Sequence, residues 1–199
     1  MIRTAREAVQ LATEKLEPIS YTPALDAELL MAHCLGMSRS DFLLKGKELQ
    51  EPADFWPMIE RRMLYEPVAY ILGHQPFWTI SLKVKPGVLI PRQDSETLIE
   101  AAVGHFGPKG PAILLDIGSG PGTLLLAALD EWPKAAGVGL ERSPLARELA
   151  EQNAAALGME PRSMWFRRDW NEANWWLDIG GPFDLILCNP PYIEVSTEL

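Results

Sequence analysis

The sequence predicts an α/β protein in which a small helical bundle precedes a β-hairpin and a doubly wound parallel sheet. Two observations carry this prediction. Apolar residues recur at helical intervals through about the first 70 positions. From Ala112 onward, short apolar runs of strand length alternate with helical segments, which is the pattern of a parallel sheet whose strands are joined by helices.

The helical part shows several helix starts. Thr4 and Glu7 have the spacing of a capping box, in which two side chains satisfy free backbone N–H groups at a helix start. Pro23 suits the first turn of a second helix, because proline lacks the N–H group that is unpaired there. Further helices are predicted from Ser38 and over 53–65.

A β-hairpin is predicted over residues 77–90. Apolar and polar side chains alternate from Trp78 to Val84, which gives a strand one apolar face. Pro86-Gly87 supplies a turn, and residues 88–90 are expected to return as the second strand. A helix is predicted next, over 95–106.

Four strands and two connecting helices are expected in the second half of the chain. The strands are predicted at Ile113–Ile117, Ala136–Leu140, Ser163–Arg167 and Phe183–Leu187. The helices between them are predicted at Leu124–Glu131 and Leu145–Leu157. The expected domains are a helical domain at 1–75, a hairpin linker at 76–92 and a sheet domain at 93–199.

Composition and charge exclude several classes of protein. With 47% hydrophobic and 23% charged residues, the chain has the composition of a soluble globular protein, and no apolar run is long enough to span a membrane. Cys34 and Cys188 lack metal-ligand spacing, so no metal is expected and a reducing cytoplasm fits best. The net charge of -9 argues against direct nucleic-acid binding; the adjacent arginines at 61–62 and 167–168 are the candidate basic patches.

An acid and three alternating glycines stand between the first predicted sheet strand and its helix. The segment begins at Asp116 and places glycine at Gly118, Gly120 and Gly122. Glycines there let the backbone turn tightly and approach a ligand closely. A dinucleotide-binding spacing would require glycine where Thr123 stands, and no P-loop lysine follows. A turn whose glycines serve only packing is the alternative.

Acidic residues also follow the second and third predicted sheet strands. Glu141 at such a position can accept hydrogen bonds from both ribose hydroxyls of an adenosine, although it could instead cap a helix, with Ser143 as a rival cap. Asp169 could accept from an adenine amino group, and Trp170 could form a wall beside the ring. The alternative for this pair is a solvated loop acid and a buried tryptophan.

The segment Asn189-Pro190-Pro191-Tyr192 follows the fourth predicted sheet strand. Its prolines remove two backbone donors and fix the direction of the chain. The Asn189 carboxamide and the carbonyl between Asn189 and Pro190 are then held where ligands bind in open α/β sheets. Both oxygens can accept from one NH2 group, and Tyr192 can stack on the planar group that carries it. A proline turn without function is the alternative.

Together these residues resemble the HemK/PrmC type of protein-(glutamine-N5) methyltransferase, which methylates peptide chain release factors. The resemblance extends over nearly the whole chain and includes three further segments, Leu25–Glu28, Glu66–Gly73 and Leu89–Arg92. It implies an N-terminal domain that helps to recognise the release factor and a class I, Rossmann-like methyltransferase domain. It also implies that Asn189 and Pro190 hold the glutamine amide of a Gly-Gly-Gln motif.

The same resemblance implies S-adenosylmethionine as the methyl donor. The residues expected to bind this donor are Asp116, Gly118, Gly120, Gly122, Glu141, Asp169, Trp170 and Asn189. Gln93-Asp94 departs from the more usual Pro-Glu, and Glu141 stands where many members carry aspartate. A class I sheet has seven strands, and this chain ends seven residues after Tyr192, so the C-terminal strands are expected to be missing.

Two other functions remain open at this point. An adenine or other nucleic-acid amino methyltransferase would also present a planar NH2 group, but it would need base flipping and a basic channel. The acidic balance and the match of the helical part disfavour it. The second alternative is a non-catalytic, truncated fragment whose helical domain only binds a partner.

Overall fold

The computed structural model describes residues 3–190 and confirms the predicted α/β class. The chain forms two compact units, Met1–Gly73 and His74–Leu199. Within the described residues, no helix has both the length and the apolar character needed to cross a membrane. The predicted domain boundaries at 75 and 92 stay predictions.

The first unit is a bundle of five helices. They are α1 (Ala5–Leu16), α2 (Pro23–Cys34), α3 (Arg39–Lys45), α4 (Phe55–Met63) and α5 (Val68–Leu72). The predicted capping box is present at α1, where the Glu7 carboxylate accepts from the Thr4 N–H at 2.8 Å. Phe42, Phe55 and Ile59 are fully buried in the core of this unit.

Two adjacent arginines at the end of α4 are both paired with acids. Arg61 donates to Glu66 at 2.7 Å, and the largely buried Arg62 donates to Asp26 at 2.8 Å. Both acids lie in segments that carry the family resemblance. Each guanidinium group of this pair therefore has an acidic partner within the same unit.

The second unit opens with a hairpin of β1 (His74–Phe77) and β2 (Ile80–Lys83). The predicted placement over 77–90 is therefore wrong, because Trp78 lies in the turn, with φ of 52°, and residues 88–90 form no strand. This turn is held by contacts that sequence periodicity does not reveal. The Trp78 N–H donates to Glu96 at 2.8 Å, and its indole N–H donates to Glu131 at 2.5 Å.

The remaining elements alternate as predicted. They are α6 (Glu96–Phe106), β3 (Ile113–Ile117), α7 (Thr123–Glu131), β4 (Ala136–Glu141), α8 (Pro144–Ala156), β5 (Ser163–Arg167) and β6 (Leu185–Cys188). The four sheet strands are parallel in the order β5-β4-β3-β6, and each overlaps its predicted range. The strand order reverses beside β3, so a ligand crevice is expected at the carboxyl ends of β3 and β6.

Apolar side chains cover both faces of this sheet. On one face, the α7 residues Leu124–Leu129 are all buried and contact the hairpin core at Phe77 and Leu82. On the other face, Leu115 and Val138 belong to a cluster with Ile179, which comes from the turn-rich segment between β5 and β6. The sheet thus packs between two apolar clusters, and its carboxyl edge carries the loops described next.

Candidate functional site

The glycine segment forms a tight loop at the carboxyl end of β3. Gly118, Gly120 and Gly122 have φ values of 76°, 54° and 89°, which residues with side chains rarely adopt. The backbone N–H groups of Gly118 and Ser119 both donate to the Leu140 carbonyl at 2.9 Å, which ties the loop to the end of β4. The glycines are therefore required by the backbone conformation, and α7 begins directly after Gly122.

Glu141, at the end of β4, is bonded to this loop. One carboxylate oxygen accepts from the Gly120 N–H at 2.9 Å, and the other accepts from the Ser143 N–H at 2.7 Å. The cap of α8 is Ser143, whose hydroxyl accepts from the Ala146 N–H at 3.3 Å. Each carboxylate oxygen has further lone pairs, so Glu141 can accept additional donors, such as hydroxyl groups, beside the loop.

Asp116 is the buried acid of the site, at 1% exposure. One oxygen accepts from the Leu125 N–H at 3.1 Å, whereas its Oδ1 has no hydrogen-bond partner among residues 3–190. Burial raises the pKa of Asp116 to about 7, with a smaller contribution from the nearby charge of Glu141 and an opposing one from the Leu125 N–H. Buried acceptors without partners are uncommon, so Oδ1 indicates a place for a ligand donor or cation.

Trp170 follows β5 and lies directly on the glycine loop. A Cβ atom built on Gly118 would be 3.0 Å from the indole ring, so the absence of a side chain there permits the contact. Asp169 is engaged in its own turn, where it accepts from the Asn171 N–H at 3.0 Å, and it also pairs with Arg142 at 3.5 Å. The Asn171 N–H is the main cause of the lowered pKa of Asp169.

Asn189 lies at the end of β6 and completes a pocket with the glycine loop. Its carboxamide N–H donates to the hydroxyl of Ser95 at 2.9 Å, and Ser95 is buried at the start of α6. The pocket is lined by Asn189 and by two parts of the chain, here called its two walls: the glycine loop with Asp116, and residues of the segment Leu89–Ser95.

The predicted site residues thus meet at one edge of the sheet, although not all of them face this pocket. Asp116, Gly118, Gly120 and Asn189 line it. Glu141 and Trp170 contact the glycine loop, and Asp169 lies beside Arg142. Pro190 is exposed at the end of the described chain, and Tyr192 lies outside the described residues.

Sequence reasoning missed several residues that line the pocket, among them Pro91, Arg92 and Ser95. Pro91 and Arg92 were singled out only as part of a resembling segment, and Ser95 only as the start of a helix. The preserved Pro-Arg pair was the available signal for the first two. Ser95 carries no such signal, because a serine at a helix start is ordinarily a cap.

The chain is similar to known proteins over most of its length. Two family models match: the PrmC N-terminal domain over residues 7–73 and the methyltransferase small domain over residues 95–198. The release factor glutamine methyltransferase of Mycolicibacterium smegmatis is 34% identical, and the match covers 98% of this chain and 68% of that protein. This chain belongs to the release factor glutamine methyltransferase family.

Other members of the release factor glutamine methyltransferase family are also similar. The one from Rhodospirillum rubrum is 42% identical over 174 residues, which cover 86% of this chain and 52% of that protein. The first curated relatives are longer, and this chain spans about half to two thirds of their length, between 52% and 66%.

A solved structure supports the fold assignment. The T. thermophilus 16S rRNA N2 G1207 methyltransferase, in complex with AdoMet and guanosine, is 25% identical with a TM-score of 0.51. The match covers 62% of this chain and 33% of that chain. Both the resemblance to the HemK/PrmC family and the class I methyltransferase fold that it implied are confirmed.

Proposed function

We propose that this chain holds the donor and acceptor sites of an S-adenosylmethionine-dependent methyltransferase that modifies the Gly-Gly-Gln glutamine of peptide chain release factors. The observation that carries the proposal is the shared pocket of Asn189 and Asp116, which combines a hydrogen-bonded carboxamide with a buried acid that has one oxygen without a partner among the described residues. The relatives' name supplies the substrate class. A substrate of this kind places the reaction in the cytoplasm.

The residues around the glycine loop suit the chemical groups of S-adenosylmethionine. That molecule supplies a methyl group on a positively charged sulfonium, and it also carries an ammonium group and two ribose hydroxyls. The free oxygen of Asp116 favours a cation or N–H donor, because a buried carboxylate is stabilised by a positive partner. Glu141 has acceptor capacity for hydroxyls, and Trp170 offers an apolar surface beside Gly118.

Asn189 suits the recognition of a side-chain amide. An amide nitrogen is a poor nucleophile, because its lone pair is delocalised into the carbonyl group. Since the Asn189 N–H donates to Ser95, its carboxamide oxygen is the group left to accept from a substrate NH2. The carbonyl between Asn189 and Pro190 supplies a second acceptor, and a proline cannot compete as a donor.

Accepting both N–H bonds raises electron density on the substrate nitrogen and fixes its direction of approach. Positioning of this kind can supply up to roughly 7–11 kcal/mol of a bimolecular barrier. No strong base is required before transfer, because the methylated nitrogen loses its proton readily. The predicted role of Tyr192 in stacking on the amide belongs to this proposal.

The proposal predicts methyl transfer to one glutamine. The chain is incubated with methyl-labelled S-adenosylmethionine and either a release factor or the same protein with the Gly-Gly-Gln glutamine changed to alanine. We expect the label in the wild-type release factor and none in its glutamine-to-alanine variant. Label in duplex DNA would instead favour the nucleic-acid alternative, and donor binding without transfer to any acceptor would favour the non-catalytic fragment.

The Glu141→Gln substitution tests the donor site separately. It keeps the size and one acceptor of the side chain but removes the charge, so hydrogen bonds from ligand hydroxyls become weaker. We expect about tenfold weaker S-adenosylmethionine binding by calorimetry, since about 1.4 kcal/mol corresponds to this factor. Glu148→Gln is the matched control, because Glu148 is exposed on α8. Equal affinity of the two variants would remove Glu141 from the donor site.

A further inference from the structure

Asn153 of α8 is a buried carboxamide that contacts two distant parts of the second unit. It is 1% exposed. Its oxygen accepts from the Lys83 N–H at 2.8 Å, and its NH2 group donates to the Lys83 carbonyl at 3.2 Å and to the Pro121 carbonyl at 2.9 Å. Both of its N–H bonds and its oxygen are therefore engaged with backbone groups, none of which belongs to α8.

One contacted residue belongs to a wall of the pocket, and the other precedes the second wall along the chain. Pro121 is inside the glycine loop and lines the pocket itself. Lys83 ends β2 and does not line the pocket, but the chain continues from there to Pro91, Arg92 and Ser95, which belong to the second wall. Along this path Val88 is buried in a small cluster with Ala146 and Leu149, which keeps the connecting segment on α8.

Asn153 pairs the backbone N–H and C=O of Lys83, which lies at the edge of the hairpin. In an antiparallel ladder, the N–H and C=O of one residue point to the same side, and at an outer edge they lack a strand partner. Asn153 supplies an acceptor and a donor to this one residue, as a neighbouring strand would. Its second N–H donates to Pro121 in the glycine loop, so one carboxamide links the end of β2 to that loop.

We propose that Asn153 is a positioning residue that sets the spacing of the two pocket walls and thereby controls binding of the methyl donor. The identity of the donor rests on the proposed function; the coupling of the two walls does not. Asparagine is suited to this position because aspartate has no N–H for the two carbonyls, and alanine leaves the Lys83 N–H and both carbonyls without this side-chain partner.

The test compares Asn153→Asp and Asn153→Ala with the control Gln152→Ala. Gln152 is the exposed neighbour on α8, and its side chain makes a hydrogen bond of 3.4 Å to Glu148. For both Asn153 variants we expect S-adenosylmethionine to bind at least tenfold more weakly by calorimetry. In the methyl-transfer assay, KM for the donor rises, whereas KM for the release factor stays within twofold. Donor affinity within twofold of the wild type in a folded variant would overturn the proposal.

Amide hydrogen exchange without donor gives a readout that does not depend on activity. We expect the Asn153 variants to exchange faster in both the glycine loop and residues 83–92, whereas the Gln152→Ala variant matches the wild type. Faster exchange in only one of the two segments would contradict the coupling. If the wild type binds no donor but both segments respond together, the proposed function fails and the coupling stands.

A measurement on the unaltered chain covers the case in which the variants do not fold. The Lys83 N–H is bonded to Asn153 and does not line the pocket. Adding S-adenosylmethionine is nevertheless expected to slow its exchange several-fold, because the bound donor holds the glycine loop and, through Asn153, the end of β2. Unchanged exchange at Lys83 under saturating donor would refute a mechanical link between the two walls.

Discussion

Replacing Asn189 by alanine is expected to lower the methyl-transfer rate about 100- to 1,000-fold while leaving S-adenosylmethionine affinity within about twofold. The substitution removes one preorganised acceptor of the substrate amide, and such a partner contributes roughly 3–4 kcal/mol to transition-state stabilisation in other enzymes. The donor contacts proposed for Asp116 and Glu141 remain. Single-turnover rates with a release factor, together with calorimetry of donor binding, measure the two effects separately.

Ser95 provides a graded control for this role. Ser95→Ala removes the acceptor that holds the Asn189 N–H, so the carboxamide can rotate and the rate is expected to fall about tenfold. Ser95→Thr keeps the hydroxyl and is expected to restore most of the rate. Activity of Asn189→Ala within threefold of the wild type would refute the role assigned to this side chain.

Replacing Asp116 by asparagine is expected to have opposite effects on donor binding and on stability. The variant keeps an acceptor for the Leu125 N–H but offers no negative charge to a cation, so S-adenosylmethionine affinity should fall at least tenfold. Wild-type affinity should rise with pH through about 7, because the carboxyl group is then ionised. Calorimetry between pH 6 and pH 8, roughly one unit on each side of the pKa of Asp116, compares the two proteins. Glu148→Gln is the control.

The stability effect follows from the direction of the pKa shift. In the unfolded chain the carboxyl ionises near 3.8, but in the folded chain it holds its proton until about 7. Its contribution to stability is therefore complete below the unfolded value and is lost as the pH rises through the folded value. Without donor, the Asp116→Asn variant should lose less free energy of unfolding than the wild type between these values. An identical pH dependence in denaturant titrations would contradict this account.

The sequence was sufficient to predict the strands of the sheet, because each strand is a short apolar run that ends at a polar loop. Ile113–Ile117 and Ala136–Leu140 were placed closely for this reason, since their boundaries coincide with the glycine loop and with Glu141. The hairpin was misplaced because alternation shows which residues share a face but not where the turn lies. The Trp78 turn depends on Glu96 and Glu131, which periodicity does not identify.

Local sequence patterns were likewise sufficient for only part of the candidate site. The glycine loop, Glu141 and Asn189 were predicted because each interrupts a regular pattern at the end of a strand. Ser95 and Asn153 follow the ordinary pattern of their helices, and their importance arises from hydrogen bonds to residues 94 and 70 positions away. Such long-range contacts require the folded topology, which local sequence patterns leave open.

The hydrogen bond between Ser95 and Asn189 also affects the order in which the two parts of the proposed site form during synthesis. It closes a loop of 94 positions, whereas the glycine loop is bonded to Glu141 over only 21. Long loops close at a greater entropic cost and, during synthesis, only after the later partner has left the ribosome. We therefore expect the proposed donor loop of the nascent chain to form before its proposed amide acceptor is held in place.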